Sequence, residues 1–153
     1  MNDVVVDCDV VGHTLNPGAG DSHHSATLFV SALVESNTNI CLDEAGYVLG
    51  EYESLGLTRS NHPLVKSFIR HLVRPGGICV VEDNCLDAEQ RQAVGHLPID
   101  QHDKRYIRIT SCTSERWLVS NDLTYAGTEH DVLTAAGVTV EHSSTAVGRL
   151  LPG

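Results

Sequence analysis

Only two lysines, Lys66 and Lys104, occur in the 153 residues, and the formal charge is −10 with a pI near 5.2. That scarcity argues against a protein that grips nucleic acid through a broad basic surface. It leaves room for phosphate chemistry carried by metal ions, because a bound divalent cation reverses the local sign of an acidic pocket. No apolar run is long enough to span a bilayer. No charged-then-apolar segment opens the chain, so no secretory signal and no membrane association are expected. The Cys-x-x-Cys pair is absent. Five cysteines, Cys8, Cys41, Cys79, Cys85 and Cys112, are odd in number and partly embedded in apolar runs. They point to small buried thiols in a reduced, cytoplasmic protein and away from structural zinc. Nine histidines are scattered, and the adjacent pair His23-His24 reads as a solvated helix start.

What is present reads as one globular domain over residues 1–153, with 41% hydrophobic and 20% charged residues. Val4–Val6 is a short β-branched run, expected to be a buried strand. The following GHTLNPGAGDS reads as a Gly/Pro-rich loop; it lacks the Lys-Ser/Thr ending of a phosphate-cradling loop. Asp21 or Ser22 is placed to cap a helix whose apolar positions Ala26, Phe29, Val30, Leu33 and Val34 recur at helical spacing. NICLD is a second strand, AGYVLGEYESLG a helix, and HPLVKSFIRHLVRPGG a clearer helix stopped by Pro75-Gly76-Gly77. ICVVED is a continuous apolar strand, of the kind covered on both faces in a parallel sheet. DAEQRQAVGHL and HDKRYIRITSCT are helical, RWLVSND is a strand, EHDVLTAAG a helix, and VTVEH a last strand. Alternation of this kind predicts an α/β three-layer sandwich around a mainly parallel sheet. Right-handed crossovers then gather strand C-termini, among them Asp7, Asp9 and Asp122, along one edge.

Four acidic motifs follow one another in order. VVVDCDVV presents Asp7 and Asp9 after a strand, and LDEAGYVLGEYESL presents Glu51 on a helix. HDKRYIRIT opens a helix with Asp103, and WLVSNDLTY ends a strand with Ser120 and Asp122. The series, spanning residue 4 to about residue 125, resembles the PIN domain, a metal-dependent nuclease fold. The resemblance implies a divalent-metal-dependent endoribonuclease using Mg²⁺ or Mn²⁺. Asp7 and Asp122 would be direct ligands. Glu51 and Asp103 would ligate or hold the ion's water, and Ser120 would orient a carboxylate or phosphate oxygen. It further implies an RNA substrate and, for a small single-domain protein, a toxin of a toxin–antitoxin pair, with an antitoxin partner and a homo-oligomeric state. Asp9 stands where the family commonly has a neutral residue.

The chemistry has its own logic. Converging carboxylates repel one another and take up protons; Mg²⁺ or Mn²⁺, which favour oxygen ligands, relieve that repulsion. Two such ions about 3.5–4 Å apart activate water and stabilise a phosphodiester's leaving oxygen. Each motif has a plainer reading. Asp9 is also a loop cap, and Glu51 also a solvated helix residue with Asp43, Glu44 and Glu53 as rivals. Asp103 is also a helix N-terminal acid favoured by the dipole, with Asp100 as its rival, and Asp122 is also a turn residue. Lys104, Arg105 and Arg108 form a basic edge that would guide an RNA backbone or simply face solvent. Tyr106 and Tyr125 would stack on a base or pack in the core. DCDVVGHTL also resembles the opening of haloacid dehalogenase-like phosphatases, with Asp7 as nucleophile and Asp9 as acid/base, but no lysine follows WLVSND. A PIN-like interaction module without catalysis is a third reading.

Overall fold

The structure is a computed structural model that describes residues 2–74 and 78–151. Five strands form one sheet: β1 (Asp3–Val6), β2 (Asn39–Asp43), β3 (Ile78–Val81), β4 (Trp117–Val119) and β5 (Thr139–Glu141). All pair in parallel in the order β3-β2-β1-β4-β5. The helices are α1 (Cys8–His13), α2 (Asp21–Glu35), α3 (Tyr47–Ser54), α4 (Pro63–Val73), α5 (Ala88–Gly95), α6 (Gln101–Thr110), α7 (Glu129–Ala136) and α8 (Ser143–Leu150). Helix α2 packs with α1, α4 and α8, while α5, α6 and α7 pack with one another. The sheet between them completes the expected three-layer α/β sandwich.

Strand β1 is fully buried because it is central, and Val4, Val5 and Val6 sit in the core with Phe29, Leu33, Ile40 and Leu118. Phe29 of α2 meets Trp117 of β4 edge-on, and Tyr52 of α3 meets Phe68 of α4 in the same way. The Tyr52 hydroxyl donates to the Val6 carbonyl at 2.6 Å, tying α3 to the C-terminal end of β1.

Several expectations are corrected. The loop expected over GHTLNPGAGDS is shorter and more ordered: CDVVGH forms α1, whose Val10 and Val11 are buried against the core, a 3₁₀ turn covers Pro17–Ala19, and α2 begins at Asp21. Neither Asp21 nor Ser22 caps α2; Gly20, at φ 62°, precedes it without a side-chain cap. Strand β3 is not covered on both faces. It is the sheet edge, and Ile78 and Val80 remain exposed, Val80 by 60%. Its apolar run therefore reflects β propensity rather than burial. Helix α8 had no counterpart in the sequence reading. The expected stop of α4 at Pro75-Gly76-Gly77 lies outside the described residues. Cys8 and Cys41 are buried free thiols as expected, but Cys85 and Cys112 are joined in a disulfide. The Ser111 hydroxyl accepts the Cys85 N–H at 3.1 Å, holding the segment after β3 against the end of α6 so that the two cysteines meet. No described helix is long and apolar enough to cross a membrane.

Asp3 clamps the opposite end of β1. Its carboxylate accepts the Ser114 N–H (2.9 Å) and hydroxyl (2.8 Å) and the Glu115 N–H (2.8 Å), fixing the turn into β4. Hydrogen bonds to a charged group contribute roughly 1.5–3 kcal/mol each and are not additive. Asp3→Ala is therefore expected to lower stability by about 2–4 kcal/mol, read as a reduced urea midpoint at unchanged m-value.

Candidate metal centre

Asp7 is the residue at which β1 turns into α1, with extended backbone angles and no side-chain cap bond to the helix. Its carboxylate is thereby left to face the cleft. Oδ2 accepts the Ser120 hydroxyl at 2.9 Å, and Oδ1 lies 3.8 Å from His102 Nε2. Ser120 comes directly after β4, the parallel neighbour of β1, so sheet register alone brings the pair together. Asp103 sits in the first turn of α6. Its N–H donates to Asp100 Oδ1 at 2.9 Å, so the rival Asp100 is the helix cap. Asp103 is fully buried: Oδ2 accepts the Thr124 hydroxyl at 2.7 Å, while Oδ1 has no hydrogen-bond partner. One ligand atom each from Asp7, His102 and Asp103 lies within 4.8 Å of the others.

The remaining acids surround this trio. Glu51 on α3 is half-buried, with Oε1 at 3.4 Å from His102 Nδ1 and Oε2 at 3.9 Å from the Cys8 thiol. Its rival Asp43 instead caps α3 by accepting the Tyr47 and Val48 N–H groups at 2.9 and 2.8 Å, and Glu44 and Glu53 face solvent. Asp9, in α1, accepts the Asn121 N–H at 3.3 Å. Asp122 accepts the Thr124 N–H at 2.9 Å and caps a one-turn 3₁₀ helix over Leu123–Tyr125, while its own N–H donates to Ser120 Oγ at 3.1 Å. Asp122 thus borders the cleft as a cap and is outside the trio, as is Glu51. Asn121 links a further layer: its amide contacts His13 Nδ1 at 3.0 Å, and its carbonyl oxygen accepts the Ser143 N–H at 3.0 Å. Residues 12–25 therefore brace the site through His13, and His23 is no mere solvated residue, since its Nδ1 lies 2.8 Å from the His13 carbonyl.

The basic edge expected over α6 is divided. Lys104 is buried, and its ammonium donates to the Gly95 carbonyl of α5 at 2.8 Å. The Arg105 guanidinium lies over the Tyr47 ring, 4.0 Å from its centroid, and Arg108 is half-buried further along. Tyr106 and Tyr125 are both buried, and the Tyr125 hydroxyl donates to the Asp103 carbonyl at 3.2 Å, so neither ring is offered to a base.

His102 is the functional candidate that sequence reading missed. Consecutive helix residues splay by roughly 100°, so periodicity does not group it with Asp103. The cleft beyond the first turn of α6 nevertheless receives both. Adjacency to Asp103 in HDKRYIRIT was the available clue.

The electrostatics are those of crowded carboxylates. Burial pushes Asp9 well above the usual carboxylate range, helped by the charges of Asp7 and Asp122 and opposed by the Asn121 N–H. Asp103 is raised to about 6, first by burial and then by Asp122, Asp100 and Asp7, against the Thr124 hydrogen bond. His102 moves up to about 9: pairing with the nearby Asp7 carboxylate is the main cause, with the charges of Asp7, Glu51 and Asp103 adding, against desolvation.

No family model matches the chain. No curated protein matches it either. Among solved structures, the chain is similar to one described as the crystal structure of VapBC2 from Rickettsia felis bound to a DNA fragment from their promoter. The identity is 13%, with 92% of this chain and 98% of that chain covered and a TM-score of 0.45.

Asp9 and His102, the two groups raised furthest in the cleft's acid and histidine set, give a direction for pH dependence. The folded state holds extra protons on Asp9 above the ordinary carboxylate range and on His102 above its ordinary pKa near 6.5. Stabilisation from the His102 contacts is present below about pH 6.5 and is lost as pH rises through about 9, and the Asp9 contribution falls in the same sense. In EDTA, the urea midpoint is expected to fall between pH 6 and 9.5, and to fall less in His102→Gln. A flat or rising wild-type midpoint contradicts this.

Proposed function

We propose that the protein is a divalent-metal-dependent endoribonuclease that hydrolyses RNA phosphodiesters at the Asp7–Asp103 cleft with Mg²⁺ or Mn²⁺. One observation carries the reading: Asp103, a buried member of the trio with Asp7 and His102, keeps a carboxylate oxygen, Oδ1, with no hydrogen-bond partner. A buried, unpartnered carboxylate oxygen is costly, and a hard cation is the partner that suits an oxygen-rich donor set of this kind. The residues thus fit a divalent ion. When bound, such an ion lowers the pKa of water and polarises a phosphodiester oxygen.

The chain's own groups have definable tasks. Asp7 and Asp103 hold the ion, and each is pinned by one hydroxyl, Ser120 for Asp7 and Thr124 for Asp103. Asp122 and Asp9 add negative charge at the rim, which favours cation binding without requiring direct ligation. Glu51 and Tyr47 meet His102 from the α3 side. Arg105, stacked on Tyr47, supplies positive charge on the same side for a phosphate. RNA as the polymer, cytoplasmic action, a homo-oligomeric state, and the role of a toxin restrained by an antitoxin belong to this proposal through the PIN resemblance. An antitoxin would act by covering the cleft.

The phosphatase alternative has less support. Lys104 is bonded to the Gly95 carbonyl, and Lys66 lines a surface cleft with Leu57, Arg59 and Asn61. Neither occupies the position beside Asp7 that aspartyl-phosphate chemistry would use.

Incubation with single-stranded and structured RNA should give cleavage with Mn²⁺ or Mg²⁺ and none in EDTA. Asp7→Asn and Asp103→Asn should each reduce the rate on the order of 100-fold or more, beyond the 10–100-fold typical of outer-shell changes. Equal inertness of wild type and both variants under all metal conditions rejects the nuclease. Metal-free complex formation with a partner would then favour the interaction module.

A further inference from the structure

We propose that His102 is itself a ligand of the divalent cation, and that its imidazole biases the site toward Mn²⁺ over Mg²⁺. The inference rests on the metal-dependent reading above and specifies which ion the site selects.

Its first support is position. His102 Nε2 lies 3.8 Å from Asp7 Oδ1, and the ligand atoms of Asp7, His102 and Asp103 all lie within 4.8 Å of one another. Around a six-coordinate ion with bonds of about 2.1 Å, neighbouring ligand atoms are about 3 Å apart and opposed ones about 4.2 Å apart. Small side-chain rotations therefore close the trio on one ion.

The other ring nitrogen supplies the second support. Nδ1 lies 2.5 Å from the Tyr47 hydroxyl oxygen and 3.4 Å from Glu51 Oε1. A histidine that binds metal through one nitrogen commonly donates its other N–H to an oxygen, often a carboxylate, and this fixes its tautomer. A metal ion would displace the proton on Nε2, and with Nδ1–H kept toward Tyr47 and Glu51 the freed Nε2 lone pair lies on the Asp7 side. The ring is also confined between Tyr47 and Tyr106, with centroids at 5.7 and 5.0 Å. In this arrangement Glu51 is a positioning residue that acts on the ion through His102.

The unpartnered Oδ1 of Asp103 is the third support, because it leaves a buried member of the trio with an oxygen free to coordinate. Nitrogen in an otherwise carboxylate set has a predictable consequence. Mg²⁺ strongly favours oxygen, whereas imidazole is better tolerated by transition metals. A competing arrangement has His102 as a permanent cation that neutralises Asp7. Removing it would then strengthen binding of both ions alike.

The test uses the full chain, freed of metal by EDTA and dialysis. Mn²⁺ and Mg²⁺ are titrated separately by calorimetry into wild type, His102→Gln and Glu51→Gln, and pulsed EPR is recorded on the wild-type Mn²⁺ complex. Coordination predicts ¹⁴N coupling in the wild-type spectrum, which needs no variant to fold. It also predicts an Mn²⁺:Mg²⁺ affinity ratio about 10-fold lower in His102→Gln. Glu51→Gln should keep the nitrogen coupling while binding Mn²⁺ about 10-fold more weakly. Bound Mn²⁺ without nitrogen coupling, or an unchanged ratio, overturns the inference and leaves the metal-dependent nuclease intact. Failure of wild type to bind either ion overturns both.

Discussion

The arrangement at the cleft depends on holding two carboxylates, Asp7 and Asp103, in a buried space where water cannot serve them fully. Asp7 is positioned by the turn from β1 into α1, and Asp103 by the first turn of α6. One hydroxyl pins each, through Ser120 and Thr124. Repulsion between the acids is not relaxed by moving apart, because each belongs to a rigid element. Burial first and the neighbouring acids second raise the proton affinity of Asp9 and Asp103, while Asp7 raises that of His102. A cation would relieve the same repulsion, which is the physical basis of the proposed metal site.

The scarcity of basic residues acquires meaning beside this. Several cations are engaged in structure: Lys104 in a bond to the Gly95 carbonyl, Arg149 in an ion pair with Glu141, and Arg74 reaching the Ser36 carbonyl. Arg105 stands over Tyr47 beside the cleft. In the proposed nuclease, phosphate recognition would fall chiefly to bound cations rather than to side chains. Affinity for a polyanion would then depend on divalent metal more than a basic nucleic-acid binder's would.

The site is also built in depth. Asn121, just after β4, connects Asp9, His13 and the start of α8, so the layer of α1 and α8 is tied to the sheet's C-terminal edge. His23 extends that chain from α2 to the His13 carbonyl. On the α6 side, the Tyr125 hydroxyl donates to the Asp103 carbonyl, and the Cys85–Cys112 disulfide fastens the far end of the helix. Such outer supports hold the orientation of groups that would otherwise rotate away from a shared ligand.

Much of this was legible in the chain itself. Periodicity and β-branched runs marked five strands and most helices, because burial of a strand or a helix face leaves a repeating trace. Four acids in order at strand ends and helix starts marked the cleft, since a parallel sheet collects its strand C-termini on one edge. What left no local trace was decided by tertiary structure. The exposure of Val80 followed from β3 being the edge, the pairing of Cys85 with Cys112 from loop placement, and the burial of Lys104 from the packing of α5 against α6. His102 joined Asp7 and Asp103, while Asp122 became a cap at the rim, because convergence on a point in space depends on the relative placement of β1, α3 and α6. Residue type and spacing determine which groups can do chemistry; the angle at which separate elements meet determines which of them share an ion.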